Sequence, residues 1–209
     1  MASVLTDSVK NIIFDLGDVI IPIDLGAPIR NFAMLANLPV ADVEAIWKQH
    51  GIWQQYETGL VDDAEFRRHV RTLLNNDEWA DDAIDAAWNT VLLDLPVARI
   101  ERIRALAGTY RLFLLSNTNA IHIRQVNQLL AQLGQPSLNE LFERVFYSHE
   151  VRMAKPSPAI YQHVLTEADL KPEETVFLDD NLANIRAAAA LGIQAVHVQP
   201  PLTILDYLT

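Results

Sequence analysis

Residues 12–20 read IIFDLGDVI, in which three consecutive apolar side chains are followed at once by the carboxylate of Asp15. A short run that is apolar at every position is typical of a strand buried on both faces of a sheet. Ligands of open parallel sheets bind beyond the carboxyl ends of the strands. The segment therefore predicts a buried strand that brings Asp15 to the edge of a binding crevice.

Other apolar runs along the chain resemble this first one. They lie at residues 112–115, 176–178 and 195–198, and a weaker run lies at residues 144–148. The segments between them are long enough for the helical crossovers that parallel strands require. The pattern predicts an α/β fold: a doubly wound parallel sheet with a Rossmann-like core.

The first and second strong runs are separated by about ninety residues, far more than one crossover helix needs. Asp62 and Glu65 form a helix-start signal within this segment, and an apolar stripe at helical spacing covers residues 81–93. We therefore predict that residues 1–22 and 96–209 form the α/β core. Residues 23–95 form a helical cap inserted after the first strand.

Composition and charge exclude several classes of protein. The 209 residues suit one compact domain or a domain with a modest insertion. The 16 Lys and Arg residues against 27 Asp and Glu residues give a net charge of −11, which repels nucleic-acid phosphates and anionic membrane surfaces. We therefore expect no nucleic-acid or membrane partner, and the sequence leaves the oligomeric state open.

The sequence contains no cysteine, which excludes disulfides and thiolate metal sites and fits a reducing compartment. The first residues, MASVLTDSVKN, lack the apolar stretch of a signal peptide, and no run of about 18 apolar residues occurs. We expect a cytoplasmic protein.

Polar side chains follow the predicted strands where each one ends. They are Asp15 after the first strand, Ser116 and Asn117 after the second, Asp179 and Asp180 after the run at 176–178, and Lys155 in the loop after the weak strand. At about 4 Å and an effective dielectric near 20, each pair of like charges costs roughly 4 kcal/mol. One lysine therefore does not balance three carboxylates, and a divalent cation is implied.

The nearby donors are oxygen atoms, which favours Mg²⁺ over zinc. Because Mg²⁺ in proteins commonly takes one or two carboxylates together with phosphate oxygens and water, the expected ligand is a phosphate. Ser116, Asn117 and Lys155 are candidate phosphate contacts. The N-terminus of the following helix adds oriented N–H groups.

Four segments together resemble the haloacid dehalogenase superfamily of phosphohydrolases. They are FDLGDVI at residues 14–20, LLSNTN at 114–119, KPSPAIY at 155–161 and FLDDNLANI at 177–185. They resemble its nucleophile, phosphate-binding, lysine and acidic metal motifs in that order, and the insertion sits where the helical cap of that family does. The amino-acid sequences of these segments are most similar to those of a bacterial subgroup that acts on sugar phosphates such as α-D-glucose 1-phosphate.

The resemblance implies a catalytic role for two residues. Asp15 is the nucleophile, which forms an aspartyl-phosphate, and Lys155 neutralises the phosphoryl charge and holds the nucleophile. It also implies that Mg²⁺ is the cofactor, with Asp15, the backbone carbonyl of Gly17, and Asp179 as its protein ligands. A small phosphorylated metabolite is then the substrate.

The remaining implied roles concern phosphate, metal support and specificity. The phosphate-binding residues are Ser116, Asn117 and Lys155, and the residues that support the metal site are Asp180 and Asn184. A turn formed by Tyr56, Glu57 and Thr58 resembles the cap loop that meets the substrate in this family. A plain interhelical loop is an equally good interpretation of that turn.

The chain departs from the family pattern at Gly17. Family phosphatases usually carry an Asp two residues after the nucleophile, which protonates the leaving group. Asp18 is offset by one residue and so points to the opposite side of an extended chain. We therefore expect either a preference for leaving groups that need little protonation, such as anomeric sugar phosphates or aryl phosphates, or a proton taken from substrate or water. His149 is the histidine that we consider as a substitute proton donor.

We predict a Mg²⁺-dependent phosphatase of a small phosphorylated metabolite, in particular a sugar phosphate. Two alternatives remain open. One is a haloacid-type dehalogenase, against which the pair Asp179 and Asp180 argues, because halide displacement needs no metal site. The other is a weakly catalytic regulatory protein that binds a sugar phosphate, an interpretation that Gly17 permits.

Overall fold

Five parallel strands form one sheet in the computed structural model, which describes residues 4–208. The strands are β1 (Asn11–Phe14), β2 (Arg111–Ser116), β3 (Arg144–Tyr147), β4 (Thr175–Asp179) and β5 (Gln194–His197). Their order in the sheet is β3-β2-β1-β4-β5, and every neighbouring pair is parallel. The chain therefore builds the sheet outward from β1 in both directions, which confirms the predicted doubly wound fold.

Helices α1 to α5 lie between β1 and β2 in the sequence. They are α1 (Ala27–Ala36), α2 (Val40–His50), α3 (Ile52–Glu57), α4 (Asp63–Leu73) and α5 (Asp81–Asn89). Each of them contributes buried side chains to one hydrophobic cluster that is separate from the two clusters against the sheet. Phe66 lies at its centre, stacked on Tyr56 at 4.5 Å between ring centroids and 5.0 Å from the ring of Trp88.

Most of the remaining helices cover the sheet. They are α6 (Val97–Leu106), α7 (Ala120–Gln132), α8 (Leu138–Leu141), α9 (Ser148–Val151), α10 (Pro158–Glu167), α11 (Leu182–Ala189) and α12 (Ile204–Tyr207), with a 3₁₀ turn at Pro172–Glu174. Ile12 and Phe14 face a cluster with α6, α7 and α12, whereas Ile13 faces a cluster with α10 and α11. Because helices cover both faces of the sheet, strand side chains that point to either face are apolar.

Helix α4 begins at the predicted signal. The Asp62 side chain accepts a hydrogen bond from the Glu65 backbone N–H at 2.8 Å, and the Glu65 side chain accepts one from the Asp62 N–H at 3.3 Å. This reciprocal capping box satisfies backbone donors that the first helical turn leaves unpaired.

Helix α5 is shorter than the predicted stripe at residues 81–93. It ends at Asn89, because the residues that follow bond to the chain leaving β1. The Leu93 N–H donates to the Pro22 carbonyl at 3.0 Å, and the Asp24 N–H donates to the Val91 carbonyl at 2.8 Å. The segments that enter and leave the inserted helices therefore lie side by side. No helix within residues 4–208 has the length and apolar character needed to cross a membrane.

We expect Phe66→Ala to lower the free energy of unfolding by about 3–5 kcal/mol, because it removes a fully buried ring between two aromatic neighbours. Urea denaturation measures this loss. Leu133→Ala, at a side chain that is 44% exposed, is the control and should change the free energy of unfolding by no more than about 0.5 kcal/mol. A loss below about 1 kcal/mol for the Phe66 variant would contradict the packing of this cluster.

Candidate active site

The register of the sheet brings the predicted carboxylates together. Phe14 of β1 is paired with Leu178 of β4, so Asp15 and Asp179 come next on adjacent strands. The Asp15 N–H donates to the Leu178 carbonyl at 2.9 Å, which continues the pairing by one residue. Carboxylate oxygens of Asp15, Asp179 and Asp180 lie within 4.8 Å of one another.

Lys155 is the cation at the centre of this cluster. Its Nζ lies 2.8 Å from Asp15 Oδ1 and 2.7 Å from Asp179 Oδ2, and it donates to the Leu115 carbonyl at 3.0 Å. An ammonium group has three N–H donors, and these three oxygens engage all of them. The side chain is 1% exposed, so its charge acts on both carboxylates with little screening by water.

The pKa shifts in the cluster reflect burial first and the interactions among its charges second. Burial raises the pKa of Asp15 to about 7, although Lys155 lowers it, and the charge of Asp179 raises it further. Burial disfavours the charged form of Lys155, but attraction to the two carboxylates outweighs this and raises its pKa. Burial and repulsion from Asp179 and Asp18 raise the pKa of Asp180. One ammonium therefore leaves the cluster undercompensated.

Asp179 is held in place by the loop and helix that follow β4. The Asn184 amide donates to both carboxylate oxygens of Asp179 at 3.0 Å, and the Asn181 N–H donates to Oδ1 at 2.8 Å. Asn184 is buried and lies in α11. Such hydrogen bonds fix the direction in which a carboxylate presents its remaining lone pairs. The predicted supporting residue Asn184 thus lies in contact with the predicted metal ligand.

The donor set of this cluster fits a hard divalent cation. Three carboxylates converge, and within the described chain no histidine joins them. Oxygen ligands of this kind suit Mg²⁺ rather than zinc. Asp15 and Asp179, the predicted carboxylate ligands, are joined by Asp180, which was predicted only to support the site, as side chains that would hold the ion. Gly17 lies in the loop directly after β1.

Asp18 does not take the place of the missing acid at position 17. Its backbone has a left-handed φ of 53°, and its carboxylate accepts a hydrogen bond from the Ile23 N–H at 3.0 Å. The side chain therefore folds back over its own loop. It lines a cavity of about 350 Å³ together with Arg99 and Asp180.

The side chains at the end of β2 and directly after it have different roles. Ser116 is the last residue of β2 and is 2% exposed. The Asn117 amide donates to the Lys155 carbonyl and accepts from the Lys155 N–H, both at 2.9 Å. The Asn117 side chain is thus occupied in positioning the backbone of Lys155, where the sequence predicted a phosphate contact. Helix α7 begins shortly afterwards, with Asn119 as its N-cap.

Of the predicted specificity turn, only Glu57 has a side chain free to meet a ligand. The Tyr56 hydroxyl donates to Asp63 at 2.5 Å and accepts from the Ile121 N–H at 3.2 Å. The Thr58 hydroxyl donates to the Gln54 carbonyl at 2.7 Å. The Glu57 carboxyl group makes no hydrogen bond with any part of the chain from residue 4 to 208, and burial raises its pKa to about 7.

The Glu57 carboxyl group lines an aromatic cavity of about 350 Å³. The indole rings in its wall belong to Trp47, Trp53 and Trp88. His122 also lines it, stacked on Trp88 at 4.9 Å between ring centroids, and burial lowers the pKa of His122 to about 4. The Trp88 indole N–H donates to the Asn119 side chain at 3.3 Å, so the cavity wall contacts the segment that follows Ser116.

One feature of the site was not predicted from the sequence. It is Ser148, the first residue after β3, whose hydroxyl bonds to the segment after β2. The strand-end rule that selected Asp15 and Ser116 applies equally to Ser148, so the signal was present.

Comparison with known proteins agrees with this geometry. A D-ribitol-5-phosphate phosphatase from Bacteroides thetaiotaomicron is 30% identical over 188 residues, which are 89% of this chain and 90% of that protein. A sesquiterpene phosphatase from Aspergillus oryzae is 25% identical over 167 residues, which are 77% of this chain and 82% of that protein.

Solved structures are similar over the same extent. A HAD-family enzyme from Bacteroides thetaiotaomicron, in complex with magnesium and inorganic phosphate, has a TM-score of 0.83 and 34% identity and covers 92% of this chain and 96% of its own. The family model of haloacid dehalogenase-like hydrolases matches residues 9–192. The chain therefore belongs to the haloacid dehalogenase-like hydrolase family, as the four motifs predicted.

Proposed function

We propose that this hydrolase is a Mg²⁺-dependent phosphatase that acts on a small phosphorylated metabolite through an aspartyl-phosphate on Asp15. The observation that carries the proposal is the convergence of three carboxylates within 4.8 Å around one buried lysine. The relative with magnesium and inorganic phosphate in its structure supports the choice of ion and substrate class.

Asp15 presents its two oxygens differently. Oδ1 lies 2.8 Å from Lys155 Nζ and accepts the Leu16 N–H at 2.7 Å, which orients the carboxylate and leaves Oδ2 to approach phosphorus. A bond forms from the carboxylate oxygen to phosphorus as the ester P–O bond breaks, and the leaving oxygen takes a proton from water or substrate. Water then attacks phosphorus and the bond to Asp15 breaks, which regenerates the carboxylate; one proton of the water stays on the released phosphate and the other passes to solvent.

Phosphoryl transfer needs positioning and charge stabilisation more than elaborate covalent chemistry. A bound Mg²⁺ supplies positive charge to the phosphate oxygens and to the carboxylates. Lys155 balances part of the remaining charge, Ser116 donates its hydroxyl to a phosphate oxygen, and backbone N–H groups at the start of α7 complete the cradle. Asn117 acts by holding the Lys155 backbone.

We further propose that residues 23–95 act as one cap over a catalytic core formed by residues 1–22 and 96–209. The entering and leaving segments are hydrogen-bonded to each other at Pro22 and Leu93, and the inserted helices share their own hydrophobic cluster. Because the chain passes between the two units at this paired connection, the cap is able to move as a body about it and to exclude water from the reaction.

A sugar phosphate suits the aromatic cavity. The indole rings pack against the C–H faces of a sugar, and the Glu57 carboxyl group, which has no hydrogen-bond partner among residues 4–208, bonds to a hydroxyl. The ribitol-phosphate phosphatase among the relatives supports a polyhydroxy leaving group. A water-soluble substrate of this kind and the absence of cysteine also support the prediction of a cytoplasmic protein.

The direct test is a panel of phosphate esters assayed with Mg²⁺ and with EDTA. We expect phosphate release that requires the metal and falls at least about 1,000-fold in Asp15→Asn, which removes the nucleophile. Asp169→Asn is the matched control, because Asp169 is an exposed aspartate that follows α10 near the start of β2, away from the acidic cluster, and it should retain activity within a few-fold. Release in EDTA, or undiminished release by the Asp15 variant, would overturn the mechanism. Tight sugar-phosphate binding without turnover would support the regulatory alternative.

Gly17→Asp tests the missing proton donor. A Cβ at position 17 would lie 3.1 Å from Ile23 Cδ1, the flexible end of a side chain, so the site accommodates an aspartate after a small shift. We expect kcat/KM for alkyl phosphates to rise at least about 10-fold relative to aryl phosphates, because alkoxides need protonation to leave. Gly17→Asn controls for size. An equal change in kcat/KM for both ester types would contradict the hypothesis that a proton donor is missing at position 17.

Glu57→Gln tests the environment of the cavity. A pKa raised to about 7 means that the folded protein holds this proton more tightly than the unfolded chain does. The stabilisation is complete below the ordinary pKa near 4.5 and is lost as the pH rises through 7. Urea unfolding should show the free-energy difference between wild type and variant changing by roughly 1–3 kcal/mol between pH 4.5 and 8. A difference that is independent of pH would show that the carboxyl group is solvated.

A further inference from the structure

We propose that Ser148 is a positioning residue that couples the cap turn at residues 57–59 to the phosphate-binding segment at residues 116–118. This inference rests on the proposed function, because it takes residues 116–118 to hold the transferring phosphate. None of the four motifs contains Ser148. In the proposed role, Ser148 makes the rate of catalysis depend on the leaving group.

The phosphate-binding segment is held by two consecutive side chains at the start of α9. The Thr118 N–H donates to Ser148 Oγ at 2.9 Å, and the Thr118 carbonyl accepts from His149 Nδ1 at 3.0 Å. Ser148 is fully buried and Thr118 is 4% exposed. Both backbone groups of a residue two positions after Ser116 therefore depend on these two side chains.

Ser148 and His149 also contact the cap turn. Ser148 Oγ lies 2.5 Å from the Glu57 carbonyl, and Gly59, with a φ of 67°, packs on the backbone of His149. A Cβ added at Gly59 would lie 2.1 Å from the His149 carbonyl oxygen, so the turn approaches closely enough to require glycine.

Ser148 has one hydroxyl proton and two neighbouring acceptors. The Thr118 carbonyl is 3.2 Å away and already accepts from His149, whereas the Glu57 carbonyl is nearer. The proton therefore goes to Glu57, and the oxygen accepts from Thr118. One buried hydroxyl thus joins the backbone of the cap turn to the backbone of the phosphate-binding segment.

The hydrogen bonds of Ser148 connect the cavity proposed for the leaving group to the segment proposed to bind the phosphate. The Glu57 side chain lines the aromatic cavity, and its carbonyl rests on Ser148. A leaving group that fills the cavity holds the turn in place, and through Ser148 it holds the Thr118 N–H. A substrate too small to reach the cavity gains nothing from this coupling. Coupling between two sites in a protein is commonly worth about 5–150-fold.

The test compares p-nitrophenyl phosphate, whose aromatic ring matches the indole-lined cavity, with acetyl phosphate, whose leaving group carries no ring to fill it. Both have good leaving groups, so a missing proton donor affects them little. In Ser148→Ala and in the size-conserving Ser148→Cys, we expect kcat for p-nitrophenyl phosphate to fall about 10- to 100-fold. The value for acetyl phosphate should fall by a smaller factor, about 3-fold, because both esters lose the direct hold of Ser148 on Thr118 and only p-nitrophenyl phosphate also loses the coupling to the cavity.

Thr175→Val is the matched control. Thr175 is also a buried hydroxyl, 1% exposed, whose Oγ1 donates to the Lys171 carbonyl at 2.7 Å, but it opens β4 at the opposite edge of the sheet. It should alter the unfolding temperature and leave the ratio of the two kcat values unchanged. Equal falls for both esters in the Ser148 variants, or no fall, would overturn the coupling while leaving the phosphatase intact. A wild type inactive on both esters would overturn the proposed function and the coupling with it.

Hydrogen exchange provides a readout that does not depend on activity. Gly59→Ala displaces the cap turn from His149 without touching residues 116–118. We expect the Thr118 amide to exchange about 10-fold faster in this variant, and the amides of β4 to be unchanged. Unaltered exchange at Thr118 would contradict the coupling.

Discussion

The ion pairs of the buried Lys155 with Asp15 and Asp179 are the interaction on which the rest of the structure depends. Charges removed from water are costly unless they are paired and hydrogen-bonded, and here all three groups have further backbone or amide partners. The pairing is possible because β1 and β4 are adjacent and in register. The fold therefore brings together acids 164 residues apart in the sequence.

Strand ends were predictable because continuous apolar runs in a parallel sheet end at a common edge. Asp15 and Asp179 follow from that rule, and Asn184 follows from the family motif. The bonding of Asn117 to Lys155 was not predictable, because a side chain that follows a strand has several partners within reach. The end of α5 at Asn89 was also missed, since pairing between the two connecting segments overrides the helical periodicity.

The site has two chemically distinct ends. At the sheet, oxygen ligands and one ammonium are arranged for a phosphate and a hard cation. Between the inserted helices, three indole rings and Glu57 line a cavity of about 350 Å³, the proposed site for the rest of the substrate. Gly17 stands where the family usually has its proton donor, so under this proposal the aromatic cavity and the intrinsic basicity of the leaving oxygen decide which leaving groups are accepted.

Calorimetric titration of Mg²⁺ tests the central claim most directly, because it asks whether the acidic cluster binds the ion before any chemistry occurs. The account predicts that the wild-type protein binds one ion per chain. It also predicts that Asn184→Leu, which frees the Asp179 carboxylate, weakens binding about 10- to 100-fold. A wild-type protein that takes up no ion, or an Asp179→Asn variant that binds it as tightly as the wild type, would contradict the account.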